Sequence, residues 1–116
     1  MIVRCGYLLG CVRPQAQPDF DNTLVDVLLP AIREMPGVER AEVHFAQDAE
    51  PGAPDIHATF MIHFADEKAM ETALSSPERQ RMREKFIAIL PGFDGTVAHI
   101  NHTLLPRNEQ SGLCQN

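Results

Sequence analysis

Asp55-Ile56-His57-Ala58-Thr59-Phe60-Met61-Ile62-His63-Phe64 is the stretch that decides the fold. Ile56, Ala58, Phe60, Ile62 and Phe64 occupy every second position, with His57, Thr59, Met61 and His63 between them. Side chains alternate across a strand with a period of two, so the segment reads as a β-strand with one apolar and one mixed face. Just upstream, residues 47–54 hold Pro51, Gly52 and Pro54 among acidic residues, which makes a loop. Before that loop, Val38–Ala46 alternates again, Ala41, Val43 and Phe45 against Arg40, Glu42 and His44. Downstream, Asp66 is placed to cap a helix whose stripe is Ala69, Met70, Ala73 and Leu74. Ser76-Pro77-Glu78 then starts a second helix. Ser76 can cap it, Pro77 suits the first helical position and Glu78 suits the positive end of the dipole. Met82, Phe86, Ile89 and Leu90 continue its apolar side to the stop at Pro91-Gly92.

The outer elements follow the same logic. Ile2–Cys11 is apolar and reads as a strand, broken by Pro14 and Pro18. A helix is expected from Pro18, with Asp19 and Asp21 in its first turn and Phe20, Leu24, Val27, Leu28, Ala31, Ile32 and Met35 on one stripe. Pro30 should kink it, because a proline ring clashes with the carbonyl four residues back. Pro36-Gly37 ends it. Gly95 precedes a last strand, Thr96–Leu105. The order β-α-β-β-α-β predicts an α+β, ferredoxin-like domain over residues 1–105. It would have a four-stranded antiparallel sheet with both helices on one face, as right-handed crossovers require. Residues 106–116 are polar and are expected to be a loosely ordered tail.

A chain of 116 residues, 44% hydrophobic, is one domain with a real core. Ten Lys+Arg against 16 Asp+Glu, a net charge of −6, and the absence of a basic block argue against nucleic acid as the main partner. No apolar run approaches the roughly 20 residues of a membrane span, and Arg4 interrupts the pattern of a signal peptide. Three cysteines, Cys5, Cys11 and Cys114, have no C-x-x-C spacing and read as reduced thiols of a cytoplasmic protein.

The sheet face left bare by the helices carries the functional reading. Taking the more apolar set of each strand as helix-facing puts Val3, Cys5, Tyr7, Leu9, Ala98, Ile100 and Leu104 beneath the helices with the apolar sides of the middle strands. Arg4, Gly6, Leu8, Arg40, Glu42, His44, His57, Thr59, Met61, His63, Val97, His99, Asn101 and Thr103 then fall on the open face. Four of the five histidines land there and only His102 falls on the helix side. That face has no lysine, unlike an ordinary solvated one. A mixture of His, Thr, Asn and Met suits a semi-polar pocket, and histidine exchanges protons near neutral pH. His57, His63 and His99 are the candidate catalytic bases. Arg4, His44, Thr59, Met61 and Asn101 are the candidate binding residues. His57 and His63 lie about 20 Å apart along one strand at ~3.3 Å per residue, too far to share an ion. A metal would need cross-strand partners such as His44 or His99 and Glu42. No metal or organic cofactor is expected.

Ile2-Val3-Arg4-Cys5-Gly6-Tyr7-Leu8-Leu9, Leu28-Leu29-Pro30-Ala31 with Met35-Pro36-Gly37-Val38, and Phe64-Ala65-Asp66 through Ala73-Leu74-Ser75-Ser76-Pro77-Glu78 resemble the EthD-like branch of the dimeric α+β-barrel superfamily. The resemblance spans residues 2–105. It implies a homodimer whose two sheets face each other around a pocket for a small molecule. It also implies cofactor-independent chemistry (cyclisation, isomerisation or monooxygenation of an aromatic or polyketide-like substrate, with a histidine as base) or a non-catalytic ligand-binding role. EthD-like relatives often carry a histidine two residues before the helix proline. That position is Leu28 here.

Overall fold

The computed structural model describes residues 1–104. Leu105 and the polar segment 106–116, expected to be loosely ordered, lie outside the described residues. The elements run β1 (Ile2–Val12), α1 (Asp19–Thr23), a wide turn over Leu24–Leu28, α2 (Leu29–Arg33), β2 (Val38–Phe45), β3 (Ile56–Phe64), α3 (Glu67–Leu74), α4 (Pro77–Ile89) and β4 (Phe93–Thr103). The four strands form one sheet in the order β2-β3-β1-β4, every neighbour antiparallel. The helices cover one side. This is the ferredoxin-like α+β arrangement that the alternation and element order imply.

The first helix shows the effect of Pro30. Lacking an N–H and crowding the preceding turn, proline cannot continue a regular helix. The chain widens just upstream, where the Leu29 N–H bonds to the Leu24 oxygen five residues back. Leu24 and Leu28 stay buried through the wide turn, so the apolar stripe survives the irregularity. Both predicted caps form: the Ala69 N–H donates to Asp66 Oδ1 at 2.8 Å and the Arg79 N–H to Ser76 Oγ at 3.2 Å. The core gathers Leu8, Phe20, Leu24, Leu28, Ile32, Phe60 and Ile62 around Phe64, which is fully buried.

β4 begins at Phe93, three residues before the expected start. Gly95, expected to precede the strand, sits inside it opposite Gly10 of β1. A Cβ on either glycine would run into the backbone of the other strand, and Gly10 has φ +137°. The pair marks a close backbone approach within the ladder.

The register corrects the assignment of faces. Arg4, Gly6 and Leu8 lie opposite Ile62, Phe60 and Ala58, and also opposite Asn101, His99 and Val97. These residues, with Thr103, therefore share the helix-covered side. Val3, Cys5, Tyr7, Ala98, Ile100 and His102 lie on the open side. The expectation was inverted for both β1 and β4, and His102 was misplaced with them. β1 is the cause: it is central and apolar at nearly every position, so alternation gives it no sign. β2 keeps its expected faces, and β3 keeps them through Thr59, Met61 and His63. At its start β3 bulges, because pairing with β1 skips from Leu8–Ala58 to Leu9–Ile56. The extra residue is His57, and its ring meets α1 on the helix side, not the open face.

Candidate functional site

The inverted face places Arg4 and His99 at a cleft between sheet and helices. Its floor is Arg4, Gly6, Phe60, Ile62 and His99, and its walls include Leu28, Ile32, Met35, Leu74, Arg79, Met82, Arg83 and Phe86. The inner volume is about 90 Å³. Arg79, Met82, Arg83 and Phe86 recur at three- and four-residue spacing on α4, which sets all four on one face. No residue of α4 is fully buried. The helix stands off the sheet, and the cleft is the space it leaves.

Gly6 makes room for the imidazole. A Cβ at this position would lie 3.3 Å from both Cδ2 and Nε2 of His99, so the ring rests against the bare backbone of β1. Arg4 is held from behind, its Nη1 donating to Asn101 Oδ1 at 3.0 Å. Burial, then the guanidiniums of Arg4, Arg79 and Arg83, push the His99 pKa below the ordinary histidine value. Its imidazole is therefore neutral at pH 7, with a lone pair free to take a proton. Burial and Arg79 likewise lower the Arg4 pKa, although guanidinium keeps its charge at neutral pH. Among the described residues, none of Arg4, Arg79 and Arg83 lies within ion-pair distance of a carboxylate. The cleft thus combines an apolar lining, one neutral base and three uncompensated positive charges.

The other anticipated site residues stand elsewhere. His57 Nε2 lies 2.6 Å from Asp21 Oδ1, with the ring edge-on to Phe20 and Phe45. Gln17 Nε2 holds the other Asp21 oxygen at 3.1 Å. This pair ties α1 to the start of β3, away from the cleft. Replacing His57 by alanine is expected to lower stability by about 1–2 kcal/mol, the worth of a partly exposed hydrogen bond to a charged group. Chemical denaturation checks the value, and the cleft's binding properties should be unchanged.

His44 and His63 remain on the open face and converge on Glu42. Their Nε2 atoms lie 3.3 and 3.6 Å from Oε1, while Arg40 Nε donates to Oε2 at 2.7 Å. His44 foremost, then Arg40 and His63, hold the Glu42 carboxyl below its ordinary pKa against the opposing effect of desolvation. Met61 and His63 line a broad groove with Val3, Cys5, Tyr7 and His102. Thr59 sits on the same side, opposite His44. Among the described residues no three His, Cys, Asp or Glu side chains are grouped to hold a metal ion.

Sequence reasoning missed Gly6 as a site residue, and also Arg79 and Arg83. The signal for the arginines was present: they share the spacing of Met82 and Phe86, which were read only as an apolar stripe.

No protein-family model matches the chain, and the curated proteins give no match. Solved structures do. An EthD family protein from Bacillus halodurans aligns with TM-score 0.71 at 14% identity, over 90% of this chain and 100% of that one. The chain has a ferredoxin-like fold. A dimeric ferredoxin-like protein of unknown function from Thermobifida fusca aligns with TM-score 0.65 at 13% identity, covering 90% and 92% of the two chains. SnoaB, a cofactor-independent oxygenase from Streptomyces nogalater, aligns with TM-score 0.63 at 15% identity, covering 94% and 97%. At these identities the likeness is one of fold.

Proposed function

We propose that this chain is a cofactor-independent enzyme acting on a small carbonyl compound, with His99 as general base. The observation that carries this reading is a neutral imidazole set at an apolar cleft beside three guanidiniums. Nε2 or Nδ1 of His99 takes a proton from the carbon next to the carbonyl. The electrons of that C–H bond move into the carbonyl, and the positive charge of Arg4 stabilises the resulting enolate oxygen. Returning the proton to another carbon completes an isomerisation. Attack of the enolate on a second carbonyl closes a ring; with molecular oxygen as co-substrate the CH2 carbon is instead oxidised to a new carbonyl, one oxygen atom being retained and the other leaving as water with both hydrogens. An aromatic or polyketide-like substrate fits the apolar lining. A benzene-sized guest needs a cavity of about 150 Å³, so the α4 side chains shift outward as a ring enters. Solvent deuterium incorporation at the acidic carbon, followed by NMR, tests proton transfer.

Two consequences are specific. Gly6→Ala sets a Cβ 3.3 Å from the His99 ring, which must give way slightly, and is expected to lower turnover several-fold, less than the roughly 100-fold cost of a full ångström's misplacement. Rescue of the ring position, read from its NMR shifts, should track rescue of turnover. The pH profile is the second. The acid limb of kcat/KM should fall below the ordinary histidine value of about 6.5. Arg79→Met together with Arg83→Met should move it upward. Stability follows the same proton. The folded chain binds it less tightly than the unfolded chain, so this group's contribution is full above about pH 6.5 and is lost as pH falls toward the lowered folded value.

We also propose that the open sheet face is covered by a second copy, giving a cytoplasmic homodimer with reduced thiols. Ile100 and Leu104 are 50% and 65% exposed there, and beside them lies the groove lined by Val3, Tyr7 and Met61. Two of the similar structures are described as dimeric. Light scattering after size exclusion should give twice the 12.9 kDa chain mass, and a monomer at micromolar concentration contradicts the proposal.

One observation favours a non-catalytic, ligand-holding role instead: among the described residues His99 has no carboxylate hydrogen-bonded to orient it. That reading expects ligand-induced stabilisation with no deuterium incorporation.

A further inference from the structure

We infer that the molecule taken into this cleft carries a carboxylate, seated by Arg4 together with Arg79 and Arg83. The inference rests on the cleft's assignment as the substrate site, and goes beyond it in naming the charge class of the substrate. The chain has a net charge of −6, with 16 acidic residues against ten basic ones. Among the described residues Arg33 donates to the Ala41 oxygen, and Arg13, Arg40 and Arg81 find a carboxylate. Arg4, Arg79 and Arg83 do not, and all three line one cleft.

Three like charges in one cleft repel one another, and two of them, Arg4 and Arg79, are half-buried while Arg83 is exposed. That arrangement costs stability, and an anion placed between them offsets the cost. Arg4 is also fixed in direction by Asn101, so part of the ordering entropy is spent before any ligand arrives. A guanidinium matches the planar fork of a carboxylate with two parallel hydrogen bonds. Leu28, Ile32, Met35 and Phe86 leave apolar walls around that end, which suits a hydrocarbon body better than a heavily hydrated dianion. Seating the carboxylate has a second effect. It screens the positive field at His99, so the imidazole becomes a stronger base when the substrate is bound than when the cleft is empty.

The test uses two probes of matched shape, 3-phenylpropanoate and its neutral amide, 3-phenylpropanamide, titrated calorimetrically into the whole protein. The carboxylate should bind at least tenfold more tightly at low salt, and the preference should shrink as ionic strength rises. Arg79→Met with Arg83→Met should remove most of the preference; both residues lie on a surface helix where the change leaves the core intact. Carboxylate binding should also raise the His99 titration midpoint followed by NMR. Equal binding of acid and amide, or a preference that survives the double substitution, overturns the inference. The catalytic reading fails separately. Selective carboxylate binding with no deuterium exchange on any carbonyl acid keeps the charge class and removes the proton transfer. Exchange on neutral ketones as fast as on keto acids does the opposite.

Discussion

Replacing His99 by alanine is expected to lower turnover by at least about 100-fold, the ordinary worth of a positioned general base. The ring lies over Gly6 at the cleft, and its loss removes the base without opening a hole in the core. The denaturation midpoint near neutral pH should therefore move little. A variant that unfolds as much as it slows would assign His99 a structural role. The same substitution at His57 gives the opposite signature, because that ring braces Asp21 of α1 and does not line the cleft. The two histidines, both candidate bases by sequence, are thus separated by one pair of measurements.

The largest effect on stability should come from Phe64→Ala, at about 3–5 kcal/mol. Phe64 is fully buried, lying opposite both Ile2 and Val38 at the end of β3. Both sheet neighbours and the helix layer close around it, so truncation leaves a cavity that rigid strands cannot collapse. Against a total stability of about 5–15 kcal/mol, such a loss brings the domain close to unfolding. Urea denaturation of the variant, with the slope unchanged, measures it. A loss under about 1 kcal/mol would mean the helices settle into the gap, which a bulky ring at the junction of three strands argues against.

The fold was legible because its signals are local. The alternation over Ile56–Phe64, the caps at Asp66 and Ser76 and the stops at Pro36-Gly37 and Pro91-Gly92 each depend on a few neighbouring residues. The site was only half legible. Arg4, His99 and Asn101 were placed together on one face and do share one, but it is the helix-covered face and not the open one. In β1 the residues Ile2, Arg4, Gly6 and Leu8 look less apolar than Val3, Cys5, Tyr7 and Leu9, although the former set faces the helices. Arg4 is tolerated there because its charge borders a cleft and not the packed core, and Gly6 because His99 fills the place of a side chain. Neither fact exists before the strands are paired. His57 was displaced by a single-residue bulge, which reverses a side chain without altering composition or spacing. Gly95 was read as punctuation because a lone glycine usually is; its partner Gly10 lies 85 positions away and only the register joins them. The arginines of α4 were hidden for a different reason, since exposed charges on a helix ordinarily signal a wet surface.

The most direct test of the account is an NMR titration of the His99 imidazole in the intact protein. The account predicts a midpoint below that of an ordinary histidine, raised both by Arg79→Met with Arg83→Met and by saturating 3-phenylpropanoate. A midpoint at or above about 6.5 that neither treatment moves would mean that the ring is freely hydrated and senses no arginine cluster, and the cleft would lose its base.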